Sequence, residues 1–219
     1  MPQTKIVAVD QALSFADNSM PQPLIDAWAN TTTFAQAHAR TVSSDPSSRA
    51  YFDAMTKELQ QIAWNVIEAT RVDYKQQAEK ISPAGIVSSI LDPYLTPDQQ
   101  AALAGLLNAI KQPDVGVHNF LDFWWNKAST KAGQTSMAMG PLTEKNNSSD
   151  IQIVYYSFNF QAEDWRSLFV EHDSASLGVT AYHLNMNLNL SLYNDIKEDL
   201  ISKLDGKEKE HIQQTSLDL

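Results

Sequence analysis

Cysteine is absent from all 219 residues, which excludes disulfides, thiolate catalysis, Cys-ligated metals and thioester-linked lipid anchors while leaving the redox compartment open. Glycine is scarce, with seven in the chain, and no dinucleotide fingerprint, phosphate-cradling loop or G-x-S-x-G elbow occurs. Positive charge is short as well: 16 Lys and Arg stand against 26 Asp and Glu, for a net charge of -10 and a pI near 4.8. Without clustered cations the chain is not expected to bind nucleic acid or to be steered toward strongly anionic membranes. No window reaches the ~18 consecutive apolar residues that predict a transmembrane helix, so any meeting with a bilayer requires rearrangement. The opening MPQTKIVAVDQALSFAD places acids and glutamines where a secretory signal is continuously apolar, so the expectation is cytoplasmic synthesis without a signal peptide.

What is present suffices for one sizeable core: 43% of the residues are hydrophobic, and one domain over residues 1–204 with a mobile polar tail, 205–219, is expected. KIVAVDQALSF (5–15) reads as a strand, followed by a helix beginning near Pro23 and carrying Leu24, Trp28, Phe34 and Val42 on one side. Phe52, Met55, Leu59, Ile62, Val66 and Ala69 recur at three- and four-residue steps, which predicts an amphipathic helix running to about Lys80. Ser82-Pro83 and Thr96-Pro97 each set a hydroxyl before a proline, the signature of a helix start, and Gln99 completes a capping box with Thr96. Two short helices should follow, one ending before Pro93 and one over 97–111. From Val117 onward VHNFLDFWW, QTSMAM, IQIVYYSFNF, WRSLFVEH and GVTAYHLNMNLNLSLY read as strands, and Ile196, Leu200, Ile201 and Leu204 mark a closing helix. Strand, helices, strands, helix is the order of an α+β chain with a mainly antiparallel sheet.

Catalytic and metal signals are missing. The five histidines (38, 118, 172, 183 and 211) have no metal-ligand spacing, and His172-Asp173-Ser174 are neighbours that do not converge on one substrate. No enzyme activity, cofactor or metal is expected. Trp124, Trp125 and Trp165 are candidate interface aromatics, because indole joins an apolar body to a polar N–H. The plainer reading makes Trp124 and Trp125 core residues, consecutive on a strand and therefore filling opposite faces of a sheet covered on both sides.

The strongest single pattern is LNMNLNLSL, residues 184–192. As a strand it sends Leu184, Met186, Leu188, Leu190 and Leu192 to one face and Asn185, Asn187, Asn189 and Ser191 to the other, and the alternation extends from Val179 to Tyr193. A sheet with one solvated face explains this arrangement. Two details favour another use: the tract exceeds the ~9–11 residues of a membrane-spanning strand, and its polar side is uncharged and rich in asparagine, a poor strand former. An apolar face opposite an uncharged polar one suits a strand between lipid and water.

Phe123-Trp124-Trp125-Asn126-Lys127, then Leu168-Phe169-Val170, then Asp173-Ser174-Ala175-Ser176 leading into the long strand, resemble the Cyt family of δ-endotoxins, cytolytic insecticidal proteins of crystal-forming bacteria. The order of elements is also similar. The resemblance implies a single three-layer α/β domain whose central, mainly antiparallel sheet is wrapped by helical hairpins. It implies a protein released to act on target-cell membranes, which binds lipid, here zwitterionic, loosens its helices and forms a homo-oligomer as long strands enter the bilayer. A distant relative is acylated on a cysteine, which this chain lacks. Under this reading Tyr182, Leu184, Met186, Leu188, Leu190 and Leu192 face lipid, and Asn185, Asn187 and Asn189 face water. The alternatives are a non-lytic protein of the same fold carrying a lipid or apolar ligand between helices and sheet, and a hydrolase using His172 or His183.

Overall fold

The computed structural model describes residues 3–17, 19–74, 79–112, 115–131, 134–159, 164–173, 176–206 and 208–218. Its strands are β1 (Gln3–Val9), β2 (Ala12–Asp17), β3 (Trp64–Val72), β4 (Lys80–Ile81), β5 (Ser129–Lys131), β6 (Gln134–Lys145), β7 (Ser148–Asn159), β8 (His172–Asp173), β9 (Gly178–Leu188) and β10 (Ile212–Asp218). The helices are α1 (Gln22–Val42), α2 (Arg49–Gln61), α3 (Pro83–Leu91), α4 (Pro97–Lys111), α5 (Val115–Ala128), α6 (Leu190–Leu204) and α7 (Glu208–His211), with 3-10 turns at Asp92–Tyr94 and Trp165–Phe169. The main sheet runs β10-β1-β2-β6-β7-β9-β3, with short β5 also paired to β6, while β4 and β8 form a separate ribbon. Every pairing in it is antiparallel except that of β2 with β6.

The fold is therefore the expected mixed one, a central sheet between two helical layers. One face packs under α1, α2 and α6, where Trp28, Tyr51, Phe52, Met55 and Leu59 meet Ile153, Leu184 and Met186. The other packs under α3, α4 and α5, where Ile86, Leu106, Phe120 and Trp124 meet Met137, Val154 and Phe158. The α3 and α4 starts are as the sequence indicates. Ser82 accepts from Gly85 N, and Thr96 and Gln99 exchange both capping-box bonds, Gln99 Oε1 accepting from Thr96 N at 2.8 Å.

Five expectations are corrected. Residues 5–15 are a hairpin and not one strand, reversing at Asp10 with φ of 48°. The turn signal there is a single aspartate, a residue that tolerates the left-handed backbone, and its side chain is fixed by buried partners described below. The predicted helix to Lys80 stops at Gln61, and Trp64–Val72 is a strand. A bulge between Val66 and Glu68 scrambles its alternation, which let an accidental three-and-four spacing imitate a helix. VHNFLDFWW, expected as a strand, is α5: Val117, Phe120, Leu121, Trp124, Trp125 and Ala128 form one buried helical stripe. Trp124 and Trp125 thus share one core, on one face of the sheet. WRSLFVEH is chiefly a 3-10 turn, started by Asp164 accepting from Arg166 N. Finally, the polar tail contains a strand. β10 pairs with β1 from Gln3↔Asp218 to Val9↔Ile212, since an edge strand is held through its main chain and needs no apolar row.

Within β6 and β7 the backbones meet closely at Gly140, where an added Cβ would sit 1.9 Å from the Gln152 carbonyl oxygen. The Asn146-Asn147 turn that joins these strands has both residues at positive φ (53° and 60°), as a tight hairpin requires. Gly140→Ala is expected to destabilise the chain by about 1–3 kcal/mol through overpacking. Urea unfolding checks this, an unchanged midpoint being the contrary result.

Candidate functional site

The eleven residues of β9 lie between β7 and β3, with Leu184 opposite Ile153 on one side and Ala69 on the other. Tyr182, Leu184, Met186 and Leu188 are all buried in the core under α1, α2 and α6. Phe52 of α2 stacks on Tyr182 at 4.6 Å between ring centroids and meets Tyr155 edge-on at 6.1 Å. The cover is not purely apolar. Thr31, Thr32, Thr33 and Gln36 of α1 and Thr56 of α2 are buried with it. Thr31 Oγ1 returns a bond to Ala27 O at 2.6 Å and accepts one from Trp64 Nε1 at 2.8 Å. Such back-bonding satisfies the hydroxyl within the helix and ties α1 to the sheet edge.

The opposite face of β9 is partly open. Ala181 and His183 are buried there, whereas Asn185 and Asn187 are half-exposed beside Gln152 and Asp150 of β7. Asn187 Oδ1 accepts from Asn65 Nδ2 of β3 at 3.0 Å. Asn189 lies outside the strand and caps α6, accepting from Leu192 N at 3.1 Å, while its own N–H donates to Ala63 O at 2.7 Å. Leu190 and Leu192, expected on the strand's apolar row, therefore open α6, and Leu192 is 40% exposed. The alternation ran on past Leu188 in sequence because the first helical turn continues it by chance. The side chains that remain on the strand are four apolar residues on one face and two asparagines on the other. Ser174 and Ala175 of the D-S-A-S segment lie outside the described residues.

Trp124, Trp125 and Trp165 are buried in the folded chain. Trp165 Nε1 donates to Asp122 Oδ1 at 3.2 Å, and Trp124 Nε1 donates to Gln11 O at 3.1 Å. The second bond belongs to a junction that sequence reasoning missed. Asp10, 1% exposed, receives Arg40 Nη2 of α1 at 2.7 Å, Lys127 Nζ of α5 at 3.8 Å and His211 Nδ1 of α7 at 2.8 Å. Its N–H donates to His211 O at 2.8 Å, and Gln11 Nε2 donates to Tyr51 OH of α2 at 3.3 Å. One turn thus holds helices from both layers and the C-terminal strand. Burial pulls the Arg40 guanidinium down, but Asp10 outweighs it and leaves the group above its ordinary value. Burial pushes the Tyr51 hydroxyl up to about 12, against the opposing influence of Arg40.

Histidines and acids do not converge elsewhere: among the described residues no group of three could hold a metal ion, and no helix is long and apolar enough to cross a membrane. His183 is buried under Tyr94, the rings stacked 3.7 Å apart, with Glu68 Oε2 3.7 Å from Nδ1. Burial holds its imidazole below the ordinary value despite Glu68. His172 lies in the β4–β8 ribbon, on a different element from His183.

No protein-family model and no curated protein matches the chain. Among solved structures it is similar to the activated Cyt2Ba monomer from Bacillus thuringiensis subsp. israelensis, at 13% identity over 76% of this chain and 93% of that one, TM-score 0.43. It is similar to a delta-endotoxin at 14% identity, over 79% and 83% of the two chains, TM-score 0.37. It is also similar to the Evf virulence factor at 12% identity, over 89% and 77%, TM-score 0.33. No family membership follows from these likenesses.

Asp10→Asn should cost about 2–3 kcal/mol, less than the ~3–5 of a fully buried pair because Arg40 and Lys127 are part-exposed. Thermal unfolding of the variant against the parent measures it, and an unshifted transition would remove the junction's importance. Stability should also narrow at both ends of the pH scale. With the folded His183 pKa depressed below 6.5, stability present above 6.5 is lost as pH falls through the folded value. With Tyr51 raised from 10.0 to about 12, stability present below pH 10 is lost as pH rises toward 12. His183→Gln should flatten the acid limb and Tyr51→Phe the alkaline limb in denaturant titrations across pH; limbs unchanged by these substitutions would refute the assignment.

Proposed function

We propose that the chain is a membrane-active, Cyt-like cytolytic toxin that acts without catalysis, binding zwitterionic lipid at a target cell and permeabilising its membrane as a homo-oligomer. One observation carries the reading: the apolar face of β9 is sealed by helices with part-polar contact sides and not by other strands. Exposing Tyr182, Leu184, Met186 and Leu188 to water costs about 6–12 kcal/mol, at roughly 1.5–3 per large side chain, which keeps the cover closed in solution. Hydrocarbon replaces that cover at little cost, since it solvates leucine as well as a helix does and does not bury Thr32, Gln36 and Thr56. β6, β7 and β9, at 12, 12 and 11 residues, have the length of membrane-spanning strands. In this state Asn185 and Asn187 line the water side. Unpaired strand edges cost several kcal/mol for each backbone group in lipid, so insertion and assembly are one event.

A second reading is favoured by one hollow. A half-open cleft of about 460 Å³ lies between α4 and the sheet, lined by Phe15, Ala101, Ala102, Pro141 and Leu142 with Asp98 and Thr143. Its size and lining suit a small apolar ligand carried by a non-lytic protein. Dye-loaded phosphatidylcholine vesicles separate the two, tested before and after protease trimming. Leakage is expected, with an environment-sensitive label on Leu188→Cys reporting hydrocarbon and one on Asn187→Cys reporting water. Vesicle binding without leakage, with neither label changing its environment, would favour the carrier and end the lytic reading.

A further inference from the structure

Beyond the end of β3 a cleft of about 200 Å³ opens between residues 72–74 and the junction of α3 with the Asp92–Tyr94 turn. Tyr74 and Tyr94 stand in its walls with Val72, Ile90 and Pro93, and Asp73 is the one charged residue among those described that line it. Tyr94 is fixed there by its stack on His183. Tyr74 packs against the core under α3, and its buried hydroxyl finds no hydrogen-bond partner among the described residues, so what it gives the wall is its ring. The surroundings are negative. Burial first and Glu68 second hold the Tyr94 hydroxyl above its ordinary value. Glu68 itself faces an imidazole that burial keeps neutral, which leaves its charge uncompensated.

We propose that this cleft binds a trimethylammonium group with an adjacent phosphate, the pair that a phosphatidylcholine headgroup carries. Two tyrosine rings and apolar side chains beside a carboxylate are what a methylated cation favours: the rings attract its charge, and its methyl groups lose little by leaving water. A bare ammonium or a metal ion holds its hydration more strongly and gains less from such walls. Arg71, 3.5 Å from Asp73 at the rim, supplies a cation for the phosphate, so a zwitterionic headgroup meets a pair of opposite charges. The cleft adjoins β9, since Val72 pairs with Ala181, and a lipid held there sits beside the strand that is to enter the bilayer. The lipid as source rests on the membrane reading above, whereas the ammonium chemistry stands on the cleft alone.

Saturation-transfer NMR on choline methyl protons measures the binding of free phosphocholine, with phosphoethanolamine added as competitor. Co-sedimentation with phosphatidylcholine vesicles, and dye release from them, measures the lipid form. Phosphocholine should bind several times more tightly than phosphoethanolamine and should inhibit co-sedimentation. Tyr74→Leu, and Asp73→Lys at a position 86% exposed, should each weaken both forms of binding about three- to tenfold. Tyr74→Phe, which keeps the ring, and Glu198→Lys, exposed on α6, should keep the parent's values. Phosphocholine bound no better than phosphoethanolamine overturns the site, as does undiminished binding by both Tyr74→Leu and Asp73→Lys. Vesicle binding and leakage indifferent to these variants and to free phosphocholine overturn the site and leave the membrane reading standing. Selective phosphocholine binding without attachment to vesicles upholds the cleft for a soluble choline compound and removes the membrane reading, and binding of neither removes both.

Discussion

Everything in this fold hangs on the two-residue turn at Asp10-Gln11. A carboxylate buried at the end of a hairpin is unfavourable by itself, since desolvation costs several kcal/mol unless cations and N–H groups surround it. Here Arg40, Lys127 and His211 do so, and they arrive from three separate helices, α1, α5 and α7. Gln11 adds Tyr51 below the sheet and Trp124 above it. The outer layers are thus registered against the sheet at this turn by several directional bonds, while elsewhere single bonds such as Trp64 Nε1 to Thr31 Oγ1, Ser149 Oγ to Leu24 O and Tyr156 OH to Val87 O supplement apolar contact.

Away from that turn, β9 and β3 run under the α1–α2 hairpin. There the physics of the cover and of the strand differ. The strand face is four large apolar side chains in a row, whereas the helices answer it with threonines and a glutamine beside Phe52, Met55 and Leu59. A cover optimised only for stability would be apolar throughout. The polar face of β9, by contrast, is accounted for locally: Asn187 is bonded to Asn65, and Asn189 has left the strand to start a helix.

Period-based reading found the mixed class, the helix starts at Ser82 and Thr96, the long strands after Gln134 and the buried side of β9, because each rests on a local rule with one physical cause. It failed where tertiary partners replace a local signal. Aromatic residues suggested a strand at Phe120–Trp125, although their spacing of three and four was helical. The bulge at Ile67 hid β3, and the turn at Asp10 carried a left-handed residue whose side-chain partners lie up to 201 positions away. The Asp10 junction itself was invisible for the same reason: nothing near Asp10 in sequence announces Arg40, Lys127 or His211. β10 escaped notice because main-chain pairing leaves no trace in side-chain pattern.

The pairing order of the sheet has a temporal side. β1 lies between β2, its neighbour in sequence, and the distant β10, while β2 waits for β6 more than a hundred residues later. The N-terminal hairpin, rich in valine, isoleucine and phenylalanine, must therefore spend most of synthesis with both flanks bare. Such long-range pairing makes folding slow and leaves nascent chains prone to stick to one another. The need for a chaperone is therefore greatest on this hairpin, in the interval before those partner strands are made.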